Sequence, residues 1–315
     1  MPFVTAFYRA LGTGMVISVD SPIDDKVRSA MESLIEDYEH VLSRFRNDSL
    51  IAAIGKAEHG GSFDFPDWCA PLFDLYDALF SATSGAIDPC VGEDLIRLGY
   101  DASLSFTVTQ DAPEHLGALR GRAVWGRDVT RHGTTLVTHE PVQLDFGACG
   151  KGYLVDLLGR MLQSSQFVID AGGDLLIHAE QPVSVALEDP EDQSHAIGIA
   201  HIANGALCAS APSRRHWNVA VNERTQIAIH HLLNAIDGLP AQQTEASWAY
   251  VPANATLNLA RDYPTAVADG LATALFVSDV AQLQRTFDFT YATLDESRQI
   301  AVSRNFPADL FLRSA

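Results

Sequence analysis

The amino-acid sequence predicts an α+β fold, with several long helices and mixed or antiparallel sheets. Strand patterns follow one another in series through much of the chain instead of alternating regularly with helices. A small number of apolar stripes at helical spacing predict the long helices. No repeat, low-complexity tract or obvious linker separates parts of the 315-residue sequence, whose length suits one large domain or two small ones.

The first half of the chain begins with two strand patterns, which two apolar helical stripes follow. Asp20-Ser21-Pro22 is a helix-start signal, and Gly85 ends the second stripe. In chain order we expect strands at 3–9 and 14–20, a helix whose stripe runs from 27 to 45, a helix at 66–84, a short helix at 91–98, a surface excursion at 101–122, and strands at 123–130 and 134–138.

The second half of the chain begins at a glycine-rich turn between a strand-like run and a helix. Residues 142–146 lead into this turn, and apolar positions from Leu154 to Leu162 continue it as a helix. Beyond it we expect strands at 167–170, 183–187, 197–202, 207–210 and 246–251, a hairpin of 217–221 with 226–229, an apolar helix at 265–277, and a closing hairpin of 289–294 with 299–302.

The overall charge and the scattered cysteines argue against several classes of protein. The chain carries 21 Lys and Arg residues against 40 Asp and Glu residues, a net charge of −19. This balance argues against non-specific binding to nucleic acid or anionic membranes, which requires basic patches. The four cysteines lie far apart in the sequence and form no metal-binding or redox motif. Because the sequence shows neither a secretory-signal pattern nor an apolar run of about 20 residues, we expect a cytoplasmic protein without membrane insertion.

The stretch from Asp145 to Asp156 has the composition of an anion-binding turn that opens a helix. Its glycines let the backbone turn tightly, and free N–H groups at the start of a helix attract anions. Lys151 falls in the first helical turn, where the helix dipole disfavours a cation unless a phosphate is bound. The Walker A and dinucleotide-binding fingerprints are both absent from this stretch. An ordinary turn with an exposed lysine is an equal alternative, and we expect substitution of Lys151 to leave the fold intact.

Two other segments carry side chains that are suited to chemistry. Asp269 and Thr273 are four residues apart, so they share one face of the apolar helix. Two oxygen donors at this spacing suit Mg²⁺, although an Asp bonded to nearby backbone beside a packed Thr is an equal alternative. His231 follows a strand pattern and precedes a turn signal, so it is either a general base or a hydrogen-bonded loop histidine.

Six segments together resemble the ApbE family of flavin transferases, which are FAD:protein FMN transferases. The family's D-x-G-x-x-x-K-G-Y-x-x-D core is matched at 145–156 and its A-D-A-L-x-T-A segment at 268–274. The other motifs are S-x-[FY]-x-x-x-S at 43–49, G-x-[FI]-D-P at 85–89, G-G-D at 172–174 and, in part, H-x-x-D-P-x-T-G at 231–238. Each motif is weak alone, but the six keep the family's order across roughly residues 10 to 305.

The resemblance implies a single ApbE-like FAD-binding flavin transferase domain over residues 1–315 and assigns its sites by motif position. An Mg²⁺ ion would be held by the backbone carbonyl of Ala148 and by Asp269 and Thr273. FAD would contact Asp145, Lys151 and the segment of Ala86, Ile87 and Asp88, while Leu11 and Phe45 would pack on the flavin or the adenine.

The implied reaction is attack of a Ser or Thr hydroxyl of an acceptor flavoprotein on the FAD pyrophosphate, which transfers FMN and releases AMP. His231 would be the catalytic base, and Asp269 would act through the metal. Three departures weaken the match: residues 234–238 differ from D-P-x-T-G, residues 209–211 differ from T-S-G, and Leu98 stands where a Trp is expected. Two alternatives therefore stay open, an Mg²⁺-dependent FAD pyrophosphatase and a non-catalytic FAD-binding protein.

Overall fold

The computed structural model describes residues 1–222 and 225–311, in which helices pack against antiparallel sheets. Within these ranges the α-helices are α1 (Asp25–Leu42), α2 (Leu50–Lys56), α3 (Ala70–Ala82), α4 (Gly92–Arg97), α5 (Ala112–His115), α6 (Gly150–Gly159), α7 (Asn258–Asp262), α8 (Pro264–Ala274) and α9 (Val280–Leu283). Single turns of 3-10 helix lie at Asp67–Cys69, Pro89–Val91, Ala118–Arg120 and Pro212–Arg214. None of the helices in these ranges has the length and apolar character that a membrane span needs.

The strands of the described residues form one large sheet and three small ones. In chain order they are β1 (Phe3–Ala10), β2 (Thr13–Val19), β3 (Gly61–Asp64), β4 (Val129–His132), β5 (Thr135–Thr138), β6 (Phe167–Asp170), β7 (Asp174–Glu188), β8 (Ala196–Ser210), β9 (His216–Asn222), β10 (Thr225–His230), β11 (Leu233–Asn234), β12 (Leu239–Pro240), β13 (Thr244–Pro252), β14 (Thr290–Asp295), β15 (Ile300–Val302) and β16 (Ala308–Leu310). The small sheets are β3-β5-β4, β9-β10 and β11-β12.

The large sheet has nine strands in the order β1-β2-β6-β7-β8-β13-β14-β15, with β16 also paired to β8, and its pairings are antiparallel. Its central strands, β7 and β8, each span 15 residues. The sequence predicted separate short strands here, and the structure corrects this. Gly205 interrupts the apolar pattern of the sequence, yet it lies within β8. A glycine is needed at this position, because an added Cβ would lie 2.4 Å from the Val251 carbonyl oxygen of β13.

The large sheet separates two apolar cores, because successive residues of a strand face opposite sides. On β8 and β13, Cys208 and Ala249 face the larger core, whereas Leu207 and Trp248 face the smaller one. The larger core contains the buried leucines of α3, α6 and α8. Burial of these apolar side chains holds α6 and α8 together on one face of the sheet.

The strand-like run at 142–146 is a wrong prediction, because these residues join no sheet. The backbone N–H of Asp145 donates instead to the Pro89 carbonyl oxygen at 2.7 Å. An added Cβ on Gly92 would lie 2.7 Å from the Gln143 carbonyl oxygen. The run is therefore pressed against the start of α4, which buries its apolar side chains without a ladder of hydrogen bonds.

Most other predicted elements are confirmed, including both N-terminal strands, the long helix after them and the apolar helix that is α8. The predicted hairpin of 217–221 and 226–229 is present as β9 and β10, with its tip outside the described residues. The strand predicted at 123–130 is wrong for most of its length, because a turn brings the Asp128 N–H to the Val124 carbonyl at 2.9 Å. The prediction also missed α2 and β3, which are too short to show a clear period.

Candidate functional site

The first part of the site lies where the start of α6 meets the middle of α8. The backbone N–H of Gly152 donates to Asp269 Oδ2 at 2.9 Å. A Cβ at Gly152 would lie 2.3 Å from the Thr265 carbonyl oxygen, so a glycine is needed for this approach. Asp156 holds the start of α8 by accepting the N–H groups of Thr265 at 3.1 Å and Ala266 at 2.8 Å. The position of Asp269 is therefore set by the packing of the two helices.

A second buried carboxylate, Asp174, lies beside Asp269. Asp174 follows a turn at Gly172 and Gly173, whose φ angles are 68° and 108°. Its side chain is completely buried, and the Lys151 ammonium group donates to its Oδ2 atom. Burial raises the pKa of Asp269 above its ordinary value, and the neighbouring Asp174 carboxylate raises it further. The two carboxyl groups therefore oppose each other's ionisation, and a cation beside them would favour their charged forms.

Lys151 offsets part of this negative charge. Burial acts to lower the pKa of Lys151, but the carboxylates of Asp174 and Asp269 outweigh it and raise the pKa above its ordinary value. The ammonium group is therefore charged and paired, and 27% of the side chain stays exposed. This pairing argues against the expectation that Lys151 can be replaced without a cost to the fold, because the buried Asp174 would lose its counter-ion.

The predicted metal donors lie close together. The Thr273 hydroxyl donates to the Ala148 carbonyl oxygen at 3.4 Å, and Thr273 follows Asp269 by one turn of α8. Asp174 Oδ1 is buried and has no hydrogen-bond partner in the described part of the chain. We call Ala148, Lys151, Asp174, Asp269 and Thr273 the helix junction.

The second part of the site is built by loops that carry aromatic and basic side chains. The guanidinium carbon of Arg44 lies 4.2 Å from the ring centroid of Phe45 and 4.6 Å from that of Tyr100. The same guanidinium donates to the Asp145 carboxylate and, at 2.6 Å, to the Tyr100 carbonyl oxygen. Asp145 also accepts the Gly147 N–H at 2.6 Å. The loop that leads into α6 is thereby tied to the residues that follow α1.

Tyr100 connects these residues to the loop between β8 and β9. Its ring stacks on Trp217 with 5.8 Å between centroids, and its hydroxyl accepts a hydrogen bond from the Arg215 guanidinium. The Arg215 carbonyl oxygen lies 3.2 Å from His231 Nδ1. We call Arg44, Phe45, Tyr100, Arg215 and His231 the aromatic rim.

His231 is held in one orientation by its contact with Arg215. A carbonyl oxygen can only accept a hydrogen bond, so Nδ1 carries the proton of the neutral ring and Nε2 is left as the acceptor. Burial lowers the pKa of His231 to about 4, and the nearby Arg215 charge acts in the same direction. The imidazole is therefore neutral near pH 7 and can take up a proton through Nε2.

Leu11, one of the predicted FAD contacts, lies on a tight turn beside the rim. Its φ angle is 53°, and its N–H donates to a Glu39 carboxylate oxygen at 2.8 Å. A Cβ at the next residue, Gly12, would lie 3.8 Å from the Arg215 guanidinium. The turn between β1 and β2 is therefore adjacent to the loop that orients the candidate base.

The predicted contact segment at residues 86–88 is buried. Its carboxylate, Asp88, lies 3.4 Å from the buried Arg122 guanidinium. The Ala86 carbonyl oxygen accepts the Ala235 N–H at 3.0 Å, which places the segment against the loop that follows the candidate base. The Asp88 carboxylate is therefore turned into the interior, towards Arg122.

Sequence reasoning missed four residues of this site: Arg44, Tyr100, Asp174 and Arg215. Asp174 ends the G-G-D turn, so that motif was a usable signal for it. The other three reach the site through loop packing between distant parts of the chain. No local pattern marks such residues in a single sequence.

Comparison with known proteins identifies the relatives of this chain. The model of the ApbE family matches residues 11–293. An FAD:protein FMN transferase of Klebsiella pneumoniae (strain 342) is 23% identical over 274 residues, covering 83% of this chain and 74% of that protein. One from Treponema pallidum (strain Nichols) is 27% identical over 286 residues, covering 80% of this chain and 72% of that protein.

The fold is also that of solved ApbE structures. The crystal structure of the ApbE protein from Thermotoga maritima matches with a TM-score of 0.77 at 19% identity, covering 98% of this chain and 99% of that one. At this identity the match establishes the fold. It confirms the α+β class, with helices and antiparallel sheets, that the sequence predicted.

Proposed function

The chain belongs to the ApbE family, and from this premise we propose that it transfers FMN from FAD to a Ser or Thr hydroxyl of an acceptor flavoprotein and releases AMP. The names of two relatives, both FAD:protein FMN transferases, support the overall reaction. The observation that carries the proposal is that one short segment, residues 145–151 at the start of α6, joins the buried charges of the helix junction to the aromatic rim. FAD carries aromatic rings, which suit the rim, and phosphates, which suit a cation held at the junction.

The helix junction fits a magnesium ion. Mg²⁺ prefers oxygen ligands and is commonly held by one or two carboxylates together with substrate phosphates. The junction offers the carboxylate of Asp269, the hydroxyl of Thr273 and the carbonyl of Ala148. The buried Oδ1 atom of Asp174, without a hydrogen-bond partner in the described residues, is a further oxygen that a cation would satisfy. When bound, the ion would polarise a phosphoryl oxygen of the pyrophosphate.

The chain's own residues orient the reactants. Phosphoryl transfer depends mainly on positioning and on stabilisation of negative charge. Lys151 brings a positive charge to the first turn of α6, next to backbone N–H groups that attract anions. His231 Nε2 accepts the proton of the attacking hydroxyl, since Nδ1 is committed to the Arg215 carbonyl oxygen. The Phe45 ring, 39% exposed, offers a surface on which the flavin or adenine packs.

An acceptor assay tests the proposal. The protein is incubated with FAD, Mg²⁺ and a candidate acceptor flavoprotein, and covalent flavin on the acceptor is measured by in-gel fluorescence. Labelled acceptor together with released AMP is the expected result. FMN and AMP without a labelled acceptor would identify an FAD pyrophosphatase instead. Tight FAD binding without turnover would identify a non-catalytic FAD-binding protein.

The metal is tested separately by titrating FAD in the presence of Mg²⁺ and in the presence of EDTA. We expect tighter binding with Mg²⁺, because the pyrophosphate would otherwise meet the carboxylates of Asp174 and Asp269 without a bridging cation. Quenching of flavin fluorescence measures the affinity. Equal affinity under the two conditions would contradict the metal site without deciding whether transfer occurs.

A further inference from the structure

Arg215 differs from Arg44 and Lys151, the other cations of the site, because no carboxylate in the described residues is paired with it. Arg44 and Lys151 are each paired with a carboxylate. The Arg215 guanidinium makes no such ion pair within residues 1–222 and 225–311, and it donates instead to the hydroxyl of Tyr100. The chain has a net charge of −19, so a cation that is not neutralised by a carboxylate at a site is a candidate for binding an anion.

The contacts of Arg215 define where its guanidinium lies. The guanidinium carbon is 5.7 Å from the ring centroid of Tyr100. A Cβ at Gly12 would be 3.8 Å from Nη2, so the group reaches the turn between β1 and β2. Arginine carries five N–H donors, and one of them is used on the tyrosine hydroxyl. The remaining donors are available to a ligand that enters between this turn and the rim.

The backbone of the same residue orients the candidate base. The Arg215 carbonyl oxygen holds Nδ1 of His231 at 3.2 Å. Arg215 would therefore hold a bound group with its side chain while its backbone carbonyl oxygen orients the His231 ring, so one residue would set the position of that group relative to Nε2. A guanidinium is planar and always charged, and its fork of donors matches the oxygens of a phosphate.

We propose that Arg215 binds one phosphate of the FAD pyrophosphate and holds it beside the candidate base. This inference rests on the proposed function, because it takes FAD as the ligand of the rim. The phosphate belongs either to the FMN half or to the AMP half of FAD, and both present the same oxygens to a guanidinium. Binding measurements with each half distinguish them.

The test compares the affinities of Arg215→Gln, Arg215→Lys and the wild-type protein for FAD, FMN, AMP and riboflavin in the presence of Mg²⁺. Isothermal titration calorimetry measures all four ligands, including AMP, which is not fluorescent at flavin wavelengths. Arg214→Gln is the matched control, because Arg214 is the preceding residue, is 51% exposed and is paired with Glu188 at 2.8 Å. Thermal unfolding of each variant verifies that the fold is retained.

We expect Arg215→Gln to weaken FAD binding by about 10- to 100-fold, since a hydrogen bond between two charged groups is lost. Riboflavin has no phosphate, so its affinity should change by less than about twofold. Arg215→Lys should recover part of the affinity, because lysine keeps the charge but not the fork. A parallel loss for FMN assigns the contact to the flavin phosphate, and a parallel loss for AMP assigns it to the adenylate phosphate. Either pattern supports the proposal.

Two results would overturn the proposal while leaving the proposed function intact. Equal losses for FAD and riboflavin would mean that Arg215 supports the Tyr100 ring and binds no phosphate. Unchanged FAD affinity in Arg215→Gln would mean that Arg215 does not contribute to binding. A wild-type protein that binds no FAD would overturn the proposed function, and this inference with it.

Discussion

The carboxylates of the helix junction and the Arg215 guanidinium of the aromatic rim hold their charges in opposite ways. In the junction, Asp174 and Asp269 are 0% and 5% exposed and depend on one ammonium group and one backbone N–H. In the rim, Arg215 is exposed to solvent and lies on a loop. A buried charge needs each of its partners, whereas an exposed charge is screened by water and salt. Substitutions in the junction should therefore affect stability and activity together, and those in the rim mainly binding or rate.

The junction and the rim also differ in how closely their sequences match the motifs of the ApbE family. The segments at 145–156 and 268–274, which build the junction, match the motifs of the ApbE family. The departures at 209–211 and 234–238 lie at the ends of β8 and β11 and in the turns that follow them, close in sequence to Arg215 and His231 of the rim. Loops on a surface accept substitutions more readily than closely packed helices do. The proposed reaction is therefore more easily altered by substitutions in the rim than the proposed metal binding is by substitutions in the junction.

Removal of the Asp269 carboxylate should have the largest effect. Asp269→Ala takes away the negative charge proposed to hold Mg²⁺ and leaves the Gly152 N–H without its acceptor. We expect FMN transfer to fall below detection by in-gel flavin fluorescence. Asp262→Ala, at an exposed carboxylate paired with Arg261, should retain transfer. Substantial transfer by Asp269→Ala would contradict the proposed role.

Removal of the candidate base should slow transfer strongly without affecting FAD binding. We expect His231→Ala to lower the rate by about 10²- to 10⁴-fold, which is typical of general base catalysis. FAD affinity should be unchanged, because the ring is proposed to act only on the incoming hydroxyl. The control is His195→Ala, at a side chain that is 72% exposed. If His231→Ala transfers at the wild-type rate, it is not the base, and Asp237 becomes the next candidate.

Substitution of Lys151 tests whether the buried ion pair of the junction stabilises the fold. Lys151→Met should destabilise the fold by about 3–5 kcal/mol, because Asp174 is left buried without its partner. Adding Asp174→Asn should recover part of this loss, since the unpaired charge is then absent. Chemical denaturation of the single and double variants measures both effects. Lys26→Met, on the surface of α1, should be nearly neutral, and an equally small effect of Lys151→Met would mean that the ion pair adds little stability.

The smallest effect concerns pH. Burial lowers the pKa of His231 from 6.5 to about 4, so the base stays unprotonated in weakly acidic solution. We expect the transfer rate to change little between about pH 7.5 and 5.5, where an unperturbed histidine would lose about tenfold. The unfolded chain takes up this proton first, so the free energy of unfolding should fall as the pH drops from 6.5 towards about 4. A rate profile with its midpoint near the unperturbed value would contradict this environment for His231.

The sequence by itself determined much of the helix junction. The spacing of Asp269 and Thr273 places them on one helical face, and the structure has both on α8. The glycines after Asp145 predict a turn that opens a helix, and α6 begins there. These features depend on periodicity and on the conformational preferences of neighbouring residues. A single sequence contains that information within one element.

Only the tertiary structure decided which charged and polar side chains meet. Lys151 and Asp174 are 23 residues apart, Arg44 and Asp145 are 101 apart, and Tyr100 and Arg215 are 115 apart. The strand predicted at 142–146 failed for the same reason, because its partner in space is the start of α4 and not another strand. Pairing between distant segments depends on how loops close around the sheet, and no local period records it.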